Sequence, residues 1–221
     1  QVVGKPPLSP LGDVTTGFRP FGMVEILDNF GVPSGTIAMT GGMPTVNTGG
    51  EPVITFSTDG GDTWSAFQSS GGVGLLTDHG GGNLSAEAGG GSLKSFSSDL
   101  GQTWSVPSAV PNTATGFPWA TEGNTGVDRD GSGNATKIME IGYGQGAASL
   151  PSAFTSFYRE SVDGGLTWTG AGGVGVDTNP GASWQFTSLG ANSQPSTRGT
   201  SEGSIVRADN GDLVAALRTD M

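Results

Sequence analysis

An all-β fold is what this sequence predicts, and glycine content, strand-length runs and one recurring turn predict it. There are 41 glycines and 13 prolines among 221 residues, against 13% charged and 33% hydrophobic side chains. That much glycine excludes a helical bundle and demands many tight turns. Long helices need Ala, Leu, Glu and Lys at a 3.6-residue period, whereas here short runs of Val, Ile, Phe, Thr and Ser sit between Gly, Asn and Asp.

The turn recurs as STDGGDTW from Ser57 to Trp64, SSDLGQTW from Ser97 to Trp104 and SVDGGLTW from Ser161 to Trp168, all fitting Ser-x-Asp-x-Gly-x-Thr-Trp. The starts lie 40 and then 64 residues apart, a spacing that suits one four-stranded sheet per repeat with an insertion in the third. The chemistry is structural. Asp59, Asp99 and Asp163 accept backbone N–H groups within the turn, the glycine supplies a backbone angle other residues resist, and Trp64, Trp104 and Trp168 cover the adjoining core. A single active site does not need three copies of one acid.

A strand leads into each turn: Pro52 to Phe56, Ser92 to Phe96 and Phe154 to Arg159. Thr36 to Met39, Lys137 to Ile141 and Trp184 to Leu189 supply further strands. The final segment, SEGSIVRADNGDLVAALR, reads as a hairpin turning at Asn210-Gly211, with Leu213 to Leu217 apolar on both faces and therefore buried.

The three turns resemble the Asp-boxes, or bacterial neuraminidase repeats, of sialidases and related six-bladed β-propellers, over nearly the whole chain. The resemblance implies a β-propeller of four-stranded blades, with the boxes on the rim away from the active site. At 40 to 64 residues per repeat, residues 1–221 supply about four blades. A propeller closes to remove its sheet edges, so residues 1–221 read as the N-terminal part of one such domain. The remainder is expected beyond Met221 or in another chain.

Twenty acidic against nine basic residues give a net charge of -11, which repels phosphate backbones and anionic membranes, so no nucleic-acid partner is expected. No apolar stretch is long enough to span a bilayer, and the start at Gln1 reads as that of a mature secreted or periplasmic protein. The absence of cysteine excludes disulfide scaffolds and thiolate metal sites.

An acidic protein that binds an anionic sugar gathers its few cations locally. Arg218 ends the apolar strand, where a guanidinium belongs in a cleft with an anionic partner. Pairing outward from Asn210-Gly211 puts Gly203 opposite Arg218 with Glu202 beside it. Strict alternation would send Glu202 and Arg218 to opposite faces, so a shared site requires a bulge. An ion pair capping the hairpin is the plainer alternative.

The same segment is similar to the sialidase stretch in which a glutamate is followed sixteen residues on by an arginine, as Glu202 is by Arg218. The resemblance implies that Glu202 polarises a tyrosine nucleophile and that Arg218 is one of three arginines holding the sugar carboxylate. Phe18-Arg19-Pro20 resembles the family's Arg-Ile-Pro motif without its isoleucine, making Arg19 another clamp residue. The family's acid/base aspartate is missing from Gly42 to Glu51. Glu51 is the sole carboxylate there, readable as catalytic or as a surface residue at a strand start. The tyrosine and third arginine would lie beyond Met221, since Tyr143 and Tyr158 fit poorly.

Asp128 to Asn134 offers alternating oxygen ligands without the bidentate glutamate calcium loops need, and reads as a polar hairpin tip. His79, the one histidine, has no second histidine or cysteine to form a zinc site. The implied chemistry requires no metal or organic cofactor. The expected function is therefore a sialidase-like glycosidase acting on a glycan with an acidic sugar. A non-catalytic propeller binding glycans or proteins, and a hydrolase of a different sugar on the same scaffold, stand as alternatives.

Overall fold

The computed structural model describes residues 19–27, 33–45, 48–72, 74–88, 93–109, 120–121, 125–147, 150–174 and 200–219, and no helix occurs among them. The strand expected at Trp184 to Leu189 lies outside the described residues. The chain divides into two compact units, residues 1–109 with 129–136, and residues 110–128 with 137–221.

The first unit holds two four-stranded antiparallel meanders. One runs β1 (Arg19–Leu27), β2 (Pro33–Thr45), β3 (Thr48–Ser57) and β4 (Gln68–Ser69). The other runs β5 (Leu76–Gly80), β6 (Asn83–Ala88), β7 (Leu93–Ser97) and β8 (Ser108–Ala109). Alternation along Val24, Ile26, Ala38 and Ile54 turns one face of the first sheet inward, where it packs with Leu76, Leu84 and Ala86.

With few large apolar residues available, the interior also uses hydroxyls whose partners are backbone carbonyls. Thr40 donates to Gly74 O at 2.9 Å, Thr55 to Ser65 O at 2.8 Å and Ser95 to Gly71 O at 3.0 Å. Each burial is thereby spared the penalty of an unsatisfied polar group.

The second unit contains β9 (Ala120–Thr121), β10 (Gly126–Arg129), β11 (Ala135–Ala147), β12 (Leu150–Ser161) and β13 (Thr169–Val174) in one sheet, with β9 and β10 both paired to β11. A separate hairpin is formed by β14 (Thr200–Arg207) and β15 (Leu213–Thr219). Met139, Ile141, Tyr158 and Ile205 make its core, with Leu213, Ala215 and Leu217 packed on them.

Here the hairpin departs from the sequence expectation twice. Its turn runs over Ala208 to Asp212, closed by Gly211 N–H to Ala208 O and Ala208 N–H to Asp212 O, both 2.8 Å. Gly211 has φ of 90°, so the left-handed residue follows the turn, and the register moves by one to Gly203 opposite Leu217. β15 is buried on one face only. Val214 on the other face is 51% exposed, while Leu213, Ala215 and Leu217 are half-buried.

All three Ser-x-Asp-x-Gly-x-Thr-Trp segments form the same turn, at the end of β3, β7 and β12. The serine hydroxyl donates to the aspartate at 2.8 Å in each and accepts the glycine N–H at 2.8 Å. The threonine N–H and hydroxyl donate to the two aspartate oxygens at 2.5 to 2.9 Å. The tryptophan indole donates to the glycine carbonyl at 2.9 to 3.0 Å. Trp64 and Trp168 are buried and Trp104 is half-buried.

Position four of the turn is also left-handed, with Gly60 and Gly164 at 74° and 76°, but Leu100 occupies it at 57° in the second turn. A leucine there is strained by about 1 kcal/mol.

Two buried cross-strand ion pairs brace the sheets. Lys94 and Glu87 lie 3.5 Å apart between β6 and β7, and Arg159 grips Glu140 at 2.6 and 2.9 Å between β11 and β12. The Arg159 guanidinium also stacks 4.4 Å from the Trp168 ring, tying the third turn to the sheet.

Arg159→Met leaves Glu140 charged in the interior and is expected to cost about 3–5 kcal/mol in denaturant unfolding, with most of it restored by Glu140→Leu in the same chain. Equal losses in both variants would show that the pair is not the source.

Hydrogen bonds from Thr63 and Thr103 lower Asp59 and Asp99 from 3.8 to about 2. Because the folded value lies below the ordinary one, their stabilisation is complete above about pH 4 and is lost as pH falls through 2. Carboxyl NMR titration should give midpoints near 2, moving toward 3.8 in Thr63→Val and Thr103→Val; ordinary midpoints in the unaltered protein would contradict the bonding.

Candidate functional site

In the first unit, Arg19 opens β1 opposite Gly42, Gly42 faces Pro52, and Glu51 faces Met43. The two candidates thus share the sheet end remote from the motif turn at Ser57, two strands and about 10 Å apart in backbone. A register shift follows Pro20, just after Arg19.

In the second unit, Glu202 and Arg218 occupy the open end of the β14–β15 hairpin. Ser201 pairs with Arg218 and Gly203 with Leu217, leaving Glu202 as the extra residue of a β-bulge. The local sequence produces it: a Cβ on Gly203 would come within 2.5 Å of Ile141 Cγ2 and 2.8 Å of Leu217 Cδ2, so only glycine lets the strand run this close. Bulges of this kind break the alternation of faces and redirect side chains. The side chains of Arg19, Glu51 and Glu202 lie outside those described, while Arg218 is exposed rather than enclosed as its apolar strand had suggested.

Several other titratable groups among the described residues are held by structural bonds. Tyr158 is buried, donates its hydroxyl to Glu160 at 2.6 Å, and has its pKa raised, first by burial and then by that carboxylate. It is a neutral phenol at ordinary pH. Lys137 lies 3.2 Å from the same Glu160, and Arg207 holds Asp128 by two bonds of 2.6 and 2.7 Å.

Arg129 donates to Asp78 O and Gly133 O, and Asp130 accepts the N–H groups of Ser132 and Asn134, which makes Asp128 to Asn134 a bonded hairpin tip. His79 Nε2 lies 2.8 Å from Ser85 Oγ. Among the described residues no cluster of metal-ligating side chains occurs, and no helix is long and apolar enough to cross a membrane.

One acidic residue escaped the sequence reading. Glu122-Gly123 repeats the Glu202-Gly203 pair, and the two residues before each, Ala120–Thr121 and Thr200–Ser201, lie on β9 and β14, strands whose partners follow them in the chain. Glu122 itself lies outside the described residues. The signal was a repeated Glu-Gly pair, too short to register against the eight-residue turns.

The class this architecture defines is an all-β fold of antiparallel sheets. No protein-family model and no curated protein sequence matches the chain. Among solved structures, a Dyadobacter fermentans protein of unknown function is similar at 18% identity and TM-score 0.60, covering 92% of this chain and 63% of its own. The α-L-arabinanase of Penicillium chrysogenum complexed with arabinobiose follows at 17% identity and TM-score 0.56, covering 94% and 61%. The GH93 α-L-arabinofuranosidase of Fusarium graminearum with arabinobiose gives 15% and 0.52, covering 91% and 58%.

These two enzymes are β-propeller glycosidases, and the likeness is one of fold. The chain spans 58% to 63% of the length of the structures it matches.

Gly203→Ala should push Ile141 and Leu217 apart and lower stability by roughly 1–3 kcal/mol in chemical denaturation. An unchanged midpoint would show that the bulge is not held by this contact.

Proposed function

We propose that the protein is a glycoside hydrolase on a β-propeller scaffold, with Glu202 as a reacting carboxylate and Glu122 as its counterpart. The observation that carries this reading is the bulge that isolates Glu202 at the end of its strand, on a fold shared with arabinan-cleaving and arabinofuranoside-cleaving enzymes. Its support from sequence is the matching Glu-Gly pair of the preceding sheet. In this chemistry one carboxylic acid protonates the leaving oxygen, while the other carboxylate attacks the sugar or activates water. On this reading the protein works outside the cell on polysaccharide.

A second reading is favoured by one feature, the pairing of Ser201 with Arg218 across that bulge. It makes the three motif turns Asp-boxes of four-stranded blades in a six-bladed, sialidase-like propeller. Arg19 and Arg218 then hold the carboxylate of an acidic sugar, Glu202 polarises a nucleophile, and Glu51 replaces the family's aspartate as acid. Arginine suits the clamp because its planar fork bonds a carboxylate twice.

Release of the aryl group from an aryl α-L-arabinofuranoside and from an aryl α-sialoside separates these readings. Glu202→Gln and Glu122→Gln are each expected to lower turnover on the order of 10²–10⁴-fold with little change in KM. Arg218→Lys should impair the sialoside alone. Failure of the folded protein to release either product, or full activity of Glu202→Gln, would overturn the hydrolase reading.

A further inference from the structure

The first unit carries a groove far from the strand ends that present Arg19 and Glu51. It has a volume of about 930 Å³ and lies beside the first two motif turns, between the end of β1 and the β5–β6 turn. That is within the range of roughly 300–1,000 Å³ typical of ligand pockets. The nine residues of β1, about 30 Å of extended chain, separate Arg19 from the groove wall at Leu27.

Its chemistry is specific. Phe56 and Leu100 supply apolar surface, and Thr36, Thr58, Gln68 and Gln102 supply hydroxyls and amides. No charged side chain is among the lining residues. Thr58, Gln68 and Gln102 are exposed and Thr36 is half-buried, so their hydroxyls and amides are accessible to a ligand in the groove. Hydroxyls and primary amides both give and take hydrogen bonds, which is what a sugar ring's hydroxyls require, while the ring's C–H face packs on apolar carbon. An anionic ligand would meet no cation here and would be opposed by the net charge of -11.

A second, independent observation concerns Leu100. Glycine holds the equivalent position in the other two turns, yet here a leucine adopts φ of 57° and remains 43% exposed. Its N–H donates to Gly82 O at 3.0 Å, which fixes it at the lip of the groove. The strained backbone sets the Leu100 side chain beside Gly82 on the groove wall, and such outliers cluster at functional surfaces. We infer that this groove is a second saccharide-binding site, taking a neutral oligosaccharide chain and separate from hydrolysis.

The test uses hydrogen exchange with neutral pentasaccharides, arabinopentaose, xylopentaose and cellopentaose, against a pentamer of galacturonic acid, on the Glu202→Gln protein so that no turnover intervenes. The expected result is protection of residues 24–36 and 98–103 by at least one neutral chain and by none of the acidic one. The double variant Leu100→Gly/Gln102→Ala, at exposed positions and with no loss of melting temperature, should weaken that protection at least tenfold in ligand concentration.

Gln68→Ala should do the same from the other wall. Protection confined to residues 200–219, protection equal in the variants, or no protection by any neutral chain would overturn the groove, and acidic-chain protection would overturn its neutral specificity. Loss of the hydrolase reading leaves the groove result standing, because binding is read without catalysis.

Discussion

Each of the three motif turns is closed by one aspartate whose two oxygens collect a serine hydroxyl, a backbone N–H and a threonine hydroxyl within eight residues. That carboxylate replaces the hydrogen bonds the backbone forgoes in making two successive left-handed residues. The turn it stabilises delivers the tryptophan to the sheet it ends. In the third turn the ring continues into Arg159 and Glu140, so a surface carboxylate, an indole and a buried ion pair form one connected support. The sheets are short and glycine-rich, and it is these ties, more than large apolar side chains, that fix where each strand ends.

The interior is correspondingly polar. Glu87 with Lys94 and Glu140 with Arg159 are almost fully excluded from solvent, and each pair joins residues directly opposite on neighbouring strands. Charge pairs in such positions contribute little net stability but tolerate no mismatch, because a strand that slips by one residue leaves two buried charges unmatched. Register in these sheets is thus set by electrostatics as much as by the alternation of apolar residues.

The turns were legible in the sequence because their chemistry is local, with every bond among the motif's serine, aspartate, glycine, threonine and tryptophan spanning four residues or fewer. The all-β class followed from glycine and from short β-branched runs for the same reason. What sequence reading missed depended on neighbours. Leu213 to Leu217 reads as doubly buried, but burial is decided by what lies over each face, which the five residues do not encode. Arg218 was expected in a cleft on that basis and is exposed. Asn210-Gly211 reads as a two-residue turn, whereas the backbone closes over Ala208 to Asp212, and this one-residue difference shifts the whole hairpin register. The need for a bulge at Glu202 was nevertheless readable, since parity along the two strands required it. The groove beside Leu100 was invisible, because its walls come from segments far apart in the chain.

The bulge at Glu202 makes the distant turn a partner in positioning it. β14 and β15 are held by the Ala208 to Asp212 loop at one end and carry Glu202 at the other, with the slip absorbed between Ser201 and Gly203. Adding or deleting one residue in that loop would slide β15 along β14 by a full step and exchange the faces of all its side chains, Arg218 included. The length of a solvent-exposed loop at the far end of the hairpin therefore sets which residues stand opposite Ser201 and Gly203.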